Sequence, residues 1–396
     1  MSPDPIRIAI AGTGNIAGIH ATTLAGFGPR SAGSAGAESA GNPASGGNPE
    51  SAASAVIVAA CDVDGQRLAT FCDEHQIPAA YHDIGTLLRQ SRPDLVHVCT
   101  PPWLHHEHAL ACLRAGASVL VEKPPTISLK EFDELTAAES GVAESGTAES
   151  GGTHFATVFQ HRFGTGQRRL KALAAEQDGP LGRPLLAICH TTWFRDQAYF
   201  DVEWRGRWDT EGGGPTMGHG IHQMDMLLDV LGDWTEVSAT ARRQARRTRT
   251  EDVSLAHVTF ANGAVASIVN SVLSPREESY LRFDFENATV EVTHLYGYGD
   301  HDWRVTPVPG HEHEVLTTWK HAGSGVPSGH AAQFREVLSS LRDGRRPPVA
   351  PADSRRTLAL ATAIYASAFT RRPVTPAGIG PGTQFYGQMN GGSFGW

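Results

Sequence analysis

Residues 7–17, RIAIAGTGNIA, constrain the fold of this chain more than any other stretch. An apolar strand runs directly into a glycine turn, and the residues after the turn begin a helix. Gly12 permits the tight turn, Gly14 lets the backbone approach a ligand closely, and the small Ala17 lets the helix pack near the strand. A phosphate held there would meet free backbone N–H groups at the positive end of a helix. Strand, turn and helix in this order predict a dinucleotide-binding unit, with Asn15 and Ile16 opening the helix.

Such a unit expects a ribose-binding acid roughly 20 residues after the turn. Asp62 is 45 positions beyond Ala17, but residues 31–54 contain only Ser, Ala, Gly, Asn, Pro and Glu. That segment has too little apolar content to fold and reads as an insertion. Without its 24 residues the separation is 21, and Asp62 closes the second strand, AVIVAAC at 55–61. A carboxylate at Asp62 favours NAD over NADP, because it bonds ribose hydroxyls and repels a 2′-phosphate. Arg67 softens that repulsion and leaves NADP open.

Strands and helices then alternate: helices at 66–75, 83–91, 104–115 and 128–137, strands at 95–100, 118–122 and 153–159. This alternation predicts a doubly wound parallel sheet in an α/β chain, with the first domain at residues 5–160. A second insertion at 137–152 repeats Ala-Glu-Ser-Gly at a five-residue period, too short for a structural repeat, and reads as a surface loop. Beyond residue 161, strands at 185–194, 235–243, 252–260, 264–272, 280–285 and 288–293 predict an α+β domain on an open, mostly antiparallel sheet. Helices at 219–231, 329–342 and 353–370 complete this domain, 161–376, and the glycine-rich residues 377–396 read as a flexible tail.

Lys123 follows the apolar strand at 118–122 and precedes two prolines, which puts it at the carboxyl edge of the sheet where doubly wound folds bind ligands. There an ammonium can orient a substrate hydroxyl and stabilise a developing alkoxide. His105 begins a helix just after a strand and is expected to face the cleft, with His106 and His108 exposed. The residues expected around the cofactor are Gly12, Gly14, Asn15, Ile16, Asp62, Thr100, Pro101, His105, Glu122 and Lys123.

The helix at 219–231 places Ile221, Met224, Leu227, Leu228 and Leu231 on one face and His219, His222, Asp225, Met226 and Asp229 on the other. The wheel alone reads as a solvated polar face. The lead-in EGGGPTMGHG at 211–220 carries five glycines, which suggests close backbone approach to a ligand. Imidazoles titrate near neutrality, so His222 is the natural general base. His219, His222 and Asp225 also have a spacing that could hold a metal, although no metal is expected. His311 and His313 read as part of an exposed strand. Phosphate-loop, serine-elbow and His-Glu-x-x-His motifs are absent from the sequence.

A formal charge of −9 argues against nucleic acid as the main partner. The basic run at 242–249, RRQARRTR, reads as a solvated strand or loop, or as a polyanion contact. The five cysteines form no Cys-x-x-Cys pair, and Cys61 and Cys99 lie in apolar runs as core residues. No apolar run is long enough to span a membrane, and the sequence opens without a signal peptide, so a cytoplasmic protein is expected.

The chain resembles the Gfo/Idh/MocA oxidoreductases, the family of glucose–fructose oxidoreductase and inositol dehydrogenase, from Ile6 to about Val374 outside the two insertions. The specific residues are TPPxxH at 100–105 followed by GASVLVEKP at 116–124. FQHR at 159–162, WRGRW at 204–208, GGG at 212–214, IHQMD at 221–225, Glu251-Asp252 and Asn262-Gly263 agree with later family motifs. The resemblance implies a Rossmann domain followed by a domain whose sheet makes a homodimer or homotetramer. It implies hydride exchange with a secondary hydroxyl of a sugar, cyclitol or polyol, with Lys123 and His222 matching the catalytic lysine and histidine. Arg162, Arg205, Trp208, His219 and Asp225 are then candidate substrate contacts. Inositol dehydrogenase-like members carry an aspartate four residues before the histidine, where this chain has Gly218, and His219 or Asp225 are candidate replacements. Cofactor-recycling glycosidases or epimerases and dinucleotide-binding regulators are the alternative activities.

Overall fold

The computed structural model describes residues 4–28, 54–144, 152–176, 178–321 and 325–393. Most of the first expected insertion, 31–54, lies outside the described residues. The chain forms two compact units, one of residues 1–125, 133–158 and 330–351, the other of residues 126–132, 159–329 and 352–396.

In the first unit six parallel strands form one sheet: β1 (Ile6–Ala11), β2 (Ala55–Cys61), β3 (Ala80–Tyr81), β4 (Leu95–Val98), β5 (Ser118–Val121) and β6 (Phe155–Thr157), in the order β3-β2-β1-β4-β5-β6. Ile8, Ala9, Ile10 and Ala11 are fully buried, as a central strand covered on both faces requires. Strand order reverses between β1 and β4, so the crevice where such sheets bind ligands opens at the carboxyl ends of these two strands. The glycine turn follows β1, and Thr100 and Pro101 follow β4.

Two expectations change here. The His330–Arg342 helix, placed in the second domain from the sequence, belongs to the first unit. Its Phe334, Val337 and Leu338 share a core with Ile8, Leu24 and Phe71, a return of distant chain that local periodicity cannot reveal. The helix after β5 runs Leu129–Glu144, well into the expected loop at 137–152. Alanine and glutamate favour helix, and Glu139 of the first Ala-Glu-Ser-Gly repeat is buried, accepting from the Phe155 N–H (3.1 Å) and from Arg346 (2.6 Å).

In the second unit seven strands form a mixed sheet: β7 (Pro184–Phe194), β8 (Trp234–Arg242), β9 (Val253–Phe260), β10 (Val265–Ser271), β11 (Leu273–Phe285), β12 (Ala288–Val292) and β13 (Trp303–Pro307). Their order is β13-β12-β11-β7-β10-β9-β8, and every neighbouring pair is antiparallel except β7 with β10. Along β9 the residues Ser254, Ala256, Val258 and Phe260 are buried and alternate with exposed Leu255, His257 and Thr259, the period of a sheet with one covered face. The covered face receives the Ile221–Leu231 helix.

His311 and His313 do not lie on a strand. The chain turns at Gly310 (φ +96°) and Glu312–His321 is helical, because Val315 and Trp319 are one helical turn apart and both buried. Residues 377–393 are packed rather than loose: Ile379, Phe385 and Met389 are buried among the glycines, and Tyr386 accepts the Lys130 N–H at 3.0 Å. All five cysteines are unpaired. Among the described residues no helix is long and apolar enough to cross a membrane.

Candidate active site

The first unit supplies the features of a dinucleotide site. At Gly12, φ is +86°, and a Cβ would stand 2.8 Å from the Cys99 carbonyl oxygen and 2.9 Å from the Thr100 nitrogen. Only glycine fits there. Gly14 begins the Asn15–Ala25 helix without any side-chain cap, and among the described residues nothing beyond its own chain neighbours and helix backbone comes within 4 Å of where its Cβ would be. Uncapped N–H groups beside open space, with Asn15 and Ile16 in the first turn, match what a pyrophosphate needs. Thr13 is engaged differently, since its N–H and hydroxyl both donate to Asp62 Oδ2, at 2.8 and 2.9 Å.

Asp62 also accepts from the Asp64 N–H (2.9 Å) and from Arg67, whose Nη2 is 2.6 Å from Oδ1 and Nε 3.2 Å from Oδ2. Burial alone would raise this carboxyl, but Arg67 and the backbone donors reverse the effect and hold it at about 2. The acid at the end of β2 is therefore fixed as a carboxylate, with Arg67 as its ion-pair partner.

Beyond β5, Glu122 is buried and Lys123 half-buried, and the Lys123–Pro124 peptide is cis. Glu122 Oε2 accepts the Lys123 N–H at 3.1 Å. His105, expected to face the cleft, is buried with its ring nitrogens against backbone carbonyls. Its Nδ1 lies 2.7 Å from the Pro124 carbonyl and its Nε2 2.6 Å from the Thr100 carbonyl, so both ring nitrogens are spent on backbone. Burial lowers its pKa against the pull of those acceptors. The residue joins the loop after β4 to the loop after β5. His106 and His108, expected exposed, are half-buried, and His108 Nδ1 lies 3.2 Å from the Thr100 hydroxyl.

The second unit holds the general-base candidate. Thr216–Gly220 form a π-helical turn that leads into the Ile221–Leu231 helix. Its apolar face is buried as expected, but its polar face is not solvated: His222 is 2% and Asp225 1% exposed. Arg162 covers that face. Its Nε and Nη2 each lie 2.6 Å from Asp225 and its Nη1 2.9 Å from Asp229. Burial pushes Asp225 up to about 6, against the opposing pull of Arg162, which leaves it ionised at neutral pH. Burial would lower Arg162, but Asp225 and the neighbouring carboxylates raise it instead. Arg162 and Asp225, expected to touch substrate, are committed to each other, a bidentate geometry that locks the helix.

His222 lies in a wall of rings. Its centroid is 4.9 Å from His161 and 5.9 Å from Tyr296. Tyr296 is 49% exposed and stands 5.7 Å from Trp193, which meets His219 edge-on at 5.0 Å. Tyr199 continues the row 5.9 Å from His219, with the Arg205 guanidinium 4.1 Å above its ring. Arg205 also pairs with Glu211 at 3.2 Å. Trp208 is placed elsewhere: it donates to the Arg249 carbonyl (2.9 Å), packs edge-on against Tyr365, and borders a cavity of about 680 Å³ with Ile127, Arg249 and Met389.

The glycines before this helix mostly approach protein rather than ligand. A Cβ on Gly213 would collide with the Tyr365 hydroxyl, one on Gly214 with the Glu251 carbonyl and one on Gly220 with Asn270. Of those five, Gly218 is the one whose Cβ would meet nothing within 4 Å among the described residues outside its own helix and chain neighbours.

Sequence profiles of one family match both parts of the chain. The profile described as "Oxidoreductase family, NAD-binding Rossmann fold" matches residues 6–142, and the "GFO/IDH/MocA C-terminal domain" matches residues 168–309. The chain belongs to the Gfo/Idh/MocA oxidoreductase family. It is 25% identical over 265 residues to the D-glucoside 3-dehydrogenase of Escherichia coli, covering 61% of this chain and 71% of that one. It is 24% identical over 338 residues to the D-apiose dehydrogenase of Paraburkholderia graminis, covering 81% and 83%. The fold is that of the WlbA dehydrogenase of Bordetella pertussis, solved with NADH and UDP-GlcNAcA: TM-score 0.75 at 23% identity, covering 94% of this chain and 99% of that one.

This Gfo/Idh/MocA member is thus an oxidoreductase with an NAD-binding Rossmann domain. Its departure from inositol dehydrogenase-like relatives, Gly218, is a position with room for a side chain, while the candidate replacement Asp225 is occupied by Arg162 and Thr357. His161, Trp193, Tyr199 and Tyr296 were not singled out in the sequence. Of these only His161 carried a signal, inside the FQHR motif; the others come from a strand end, the short Gln197–Phe200 helix and a loop, whose folding toward His222 is a tertiary event.

Proposed function

We propose that this oxidoreductase exchanges hydride with a secondary hydroxyl of a sugar, cyclitol or related polyol. The carrying observation is the row of rings beside His222, because aromatic faces with polar edges suit the alternating C–H and O–H surface of a carbohydrate ring. Relatives named for glucoside and apiose oxidation support the same substrate class. Nicotinamide, when bound, supplies the carbon that gains or releases the hydride. Lys123 polarises the substrate oxygen and His222 takes its proton, the two roles that hydride departure requires. Gly12, Gly14, Asn15 and Ile16 hold the pyrophosphate, and Asp62 selects the unphosphorylated ribose, so NAD is the preferred cofactor.

The working protein is, in this reading, a cytoplasmic homodimer or homotetramer. Five unpaired cysteines fit a reducing compartment. Leu186, Leu255 and Val265 are exposed on one face of the seven-stranded sheet, where a second copy would cover them. Nicotinamide reduction assayed over sugars, cyclitols, polyols and glycosides, with products analysed, tests the activity. Net NADH formation with a ketone product is expected. Conversion of a glycoside or epimer without net NADH would overturn the dehydrogenase reading in favour of a recycled cofactor.

A further inference from the structure

A buried group of titratable side chains in the first unit has no part in the chemistry above. His20 lies on the helix that begins at the glycine turn, His97 on β4, Cys99 just after β4, Glu122 after β5, and His330 on the helix that returns late in the chain. His20 Nε2 lies 2.9 Å from Glu122 Oε1, and His330 Nε2 lies 3.7 Å from the same oxygen. His20 Nδ1 lies 2.9 Å from His97 Nδ1 and 3.4 Å from Cys99 Sγ. Phe334 packs edge-on against both His20 and His97, which are fully buried, while His330 is half-buried at the edge of the group.

Burial opposes the Glu122 charge, but the two histidines hold its pKa well below the usual carboxylate range. Burial lowers His20 and His97. With Glu122 a carboxylate and His20 neutral, His20 Nε2–H donates to Glu122, and His20 Nδ1 is left to accept from His97. Glu122 Oε2 is left for the Lys123 N–H at 3.1 Å.

We propose that His20, Glu122 and His330 form a positioning network that sets the backbone, and with it the ammonium, of Lys123. Glu122 Oε1 accepts from His20, with the His330 ring 3.7 Å away as a charge neighbour, and Oε2 accepts from the residue after it, so the helix of the dinucleotide turn and the strand end bearing Lys123 are held by a single carboxylate. This rests on the reading of Lys123 as the group that polarises the substrate oxygen. A clamp of this kind governs kcat rather than cofactor affinity.

The chain has four lysines, Lys123, Lys130, Lys171 and Lys320, so ¹³C reductive methylation followed by NMR gives few lysine signals, and Lys123→Arg identifies the one of interest. NADH addition should move the Lys123 signal in the wild type. Glu122→Gln and His330→Leu should at least halve that movement, and His330→Gln, which keeps a donor, should retain it. Turnover on the best panel substrate should fall about 10–100-fold in the first two, as loss of an outer partner typically causes, with NADH affinity unchanged in His330→Leu. A Lys123 signal indifferent to NADH in the wild type would overturn the reading of Lys123 and this proposal with it. Movement and kcat preserved in every variant, beside an inactive Lys123→Ala, would overturn the positioning network alone. The ligand atoms of His20, Glu122 and His330 lie within 4.8 Å of one another, so stoichiometric zinc in the wild type that these variants lose would also overturn it in favour of a metal site. Should Glu122→Gln fail to fold by circular dichroism, the His330→Leu and His330→Gln pair carries the test.

Discussion

Asp62 shows how one carboxylate does two jobs. It fixes the glycine turn through Thr13, and its charge, held by Arg67, is the one proposed to meet the cofactor ribose. Asp62→Ala should therefore raise the ratio of NADPH to NADH affinity by about tenfold or more, read by fluorescence titration, since a like-charge contact costs several kcal/mol. The same residue predicts an acid limb. Its folded pKa is near 2 and its unfolded value near 3.8, so its stabilisation is complete above about pH 4 and lost as pH falls through 2. Asp62→Asn should flatten the decline in urea stability over that window, and an unchanged slope would refute the assignment. The spacing to Asp62 was legible once the low-complexity segment was set aside, because the turn, strand and acid are local features. His105 was misread because which way a histidine points depends on carbonyls 5 and 19 residues away.

At the scale of the element, the Ile221–Leu231 helix is buried on both faces, and its polar face is tied down by Arg162 from the Gln160–Phe163 turn. A helical wheel assigns polar residues to solvent by default; a single distant arginine reverses that, and no local pattern announces it. Asp225→Ala should destabilise the protein by about 3–5 kcal/mol in urea melts, since it leaves a buried guanidinium short of a partner. Loss below about 1 kcal/mol would show the pair to be dispensable. The glycines of the lead-in separate in the same way. Gly220→Ala must displace Asn270 and should cost about 1–3 kcal/mol, whereas Gly218→Asp enters open space and should fold with near wild-type stability. If Gly218→Asp unfolds the protein as badly as Gly220→Ala, the open position is not what the geometry indicates.

For the whole molecule, the alternation of strands and helices and the later change to an antiparallel pattern were readable because each strand period is local. The return of His330–Arg342 to the first unit and the packing of residues 377–393 were not, since both depend on which distant surface remains uncovered. The open face of the seven-stranded sheet predicts that Leu255→Glu with Val265→Glu lowers the solution mass by light scattering to that of one 42.3 kDa chain. An unchanged mass would place the contact elsewhere. The central claim is that Lys123 and His222 carry hydride chemistry on a carbohydrate-like hydroxyl. Its most direct test is steady-state nicotinamide reduction by wild type, Lys123→Ala and His222→Ala on the same substrate, with NADH binding measured in parallel. Each variant should lose about 10²–10⁴-fold in kcat while still binding NADH. Turnover surviving at wild-type rates in either one would contradict the account.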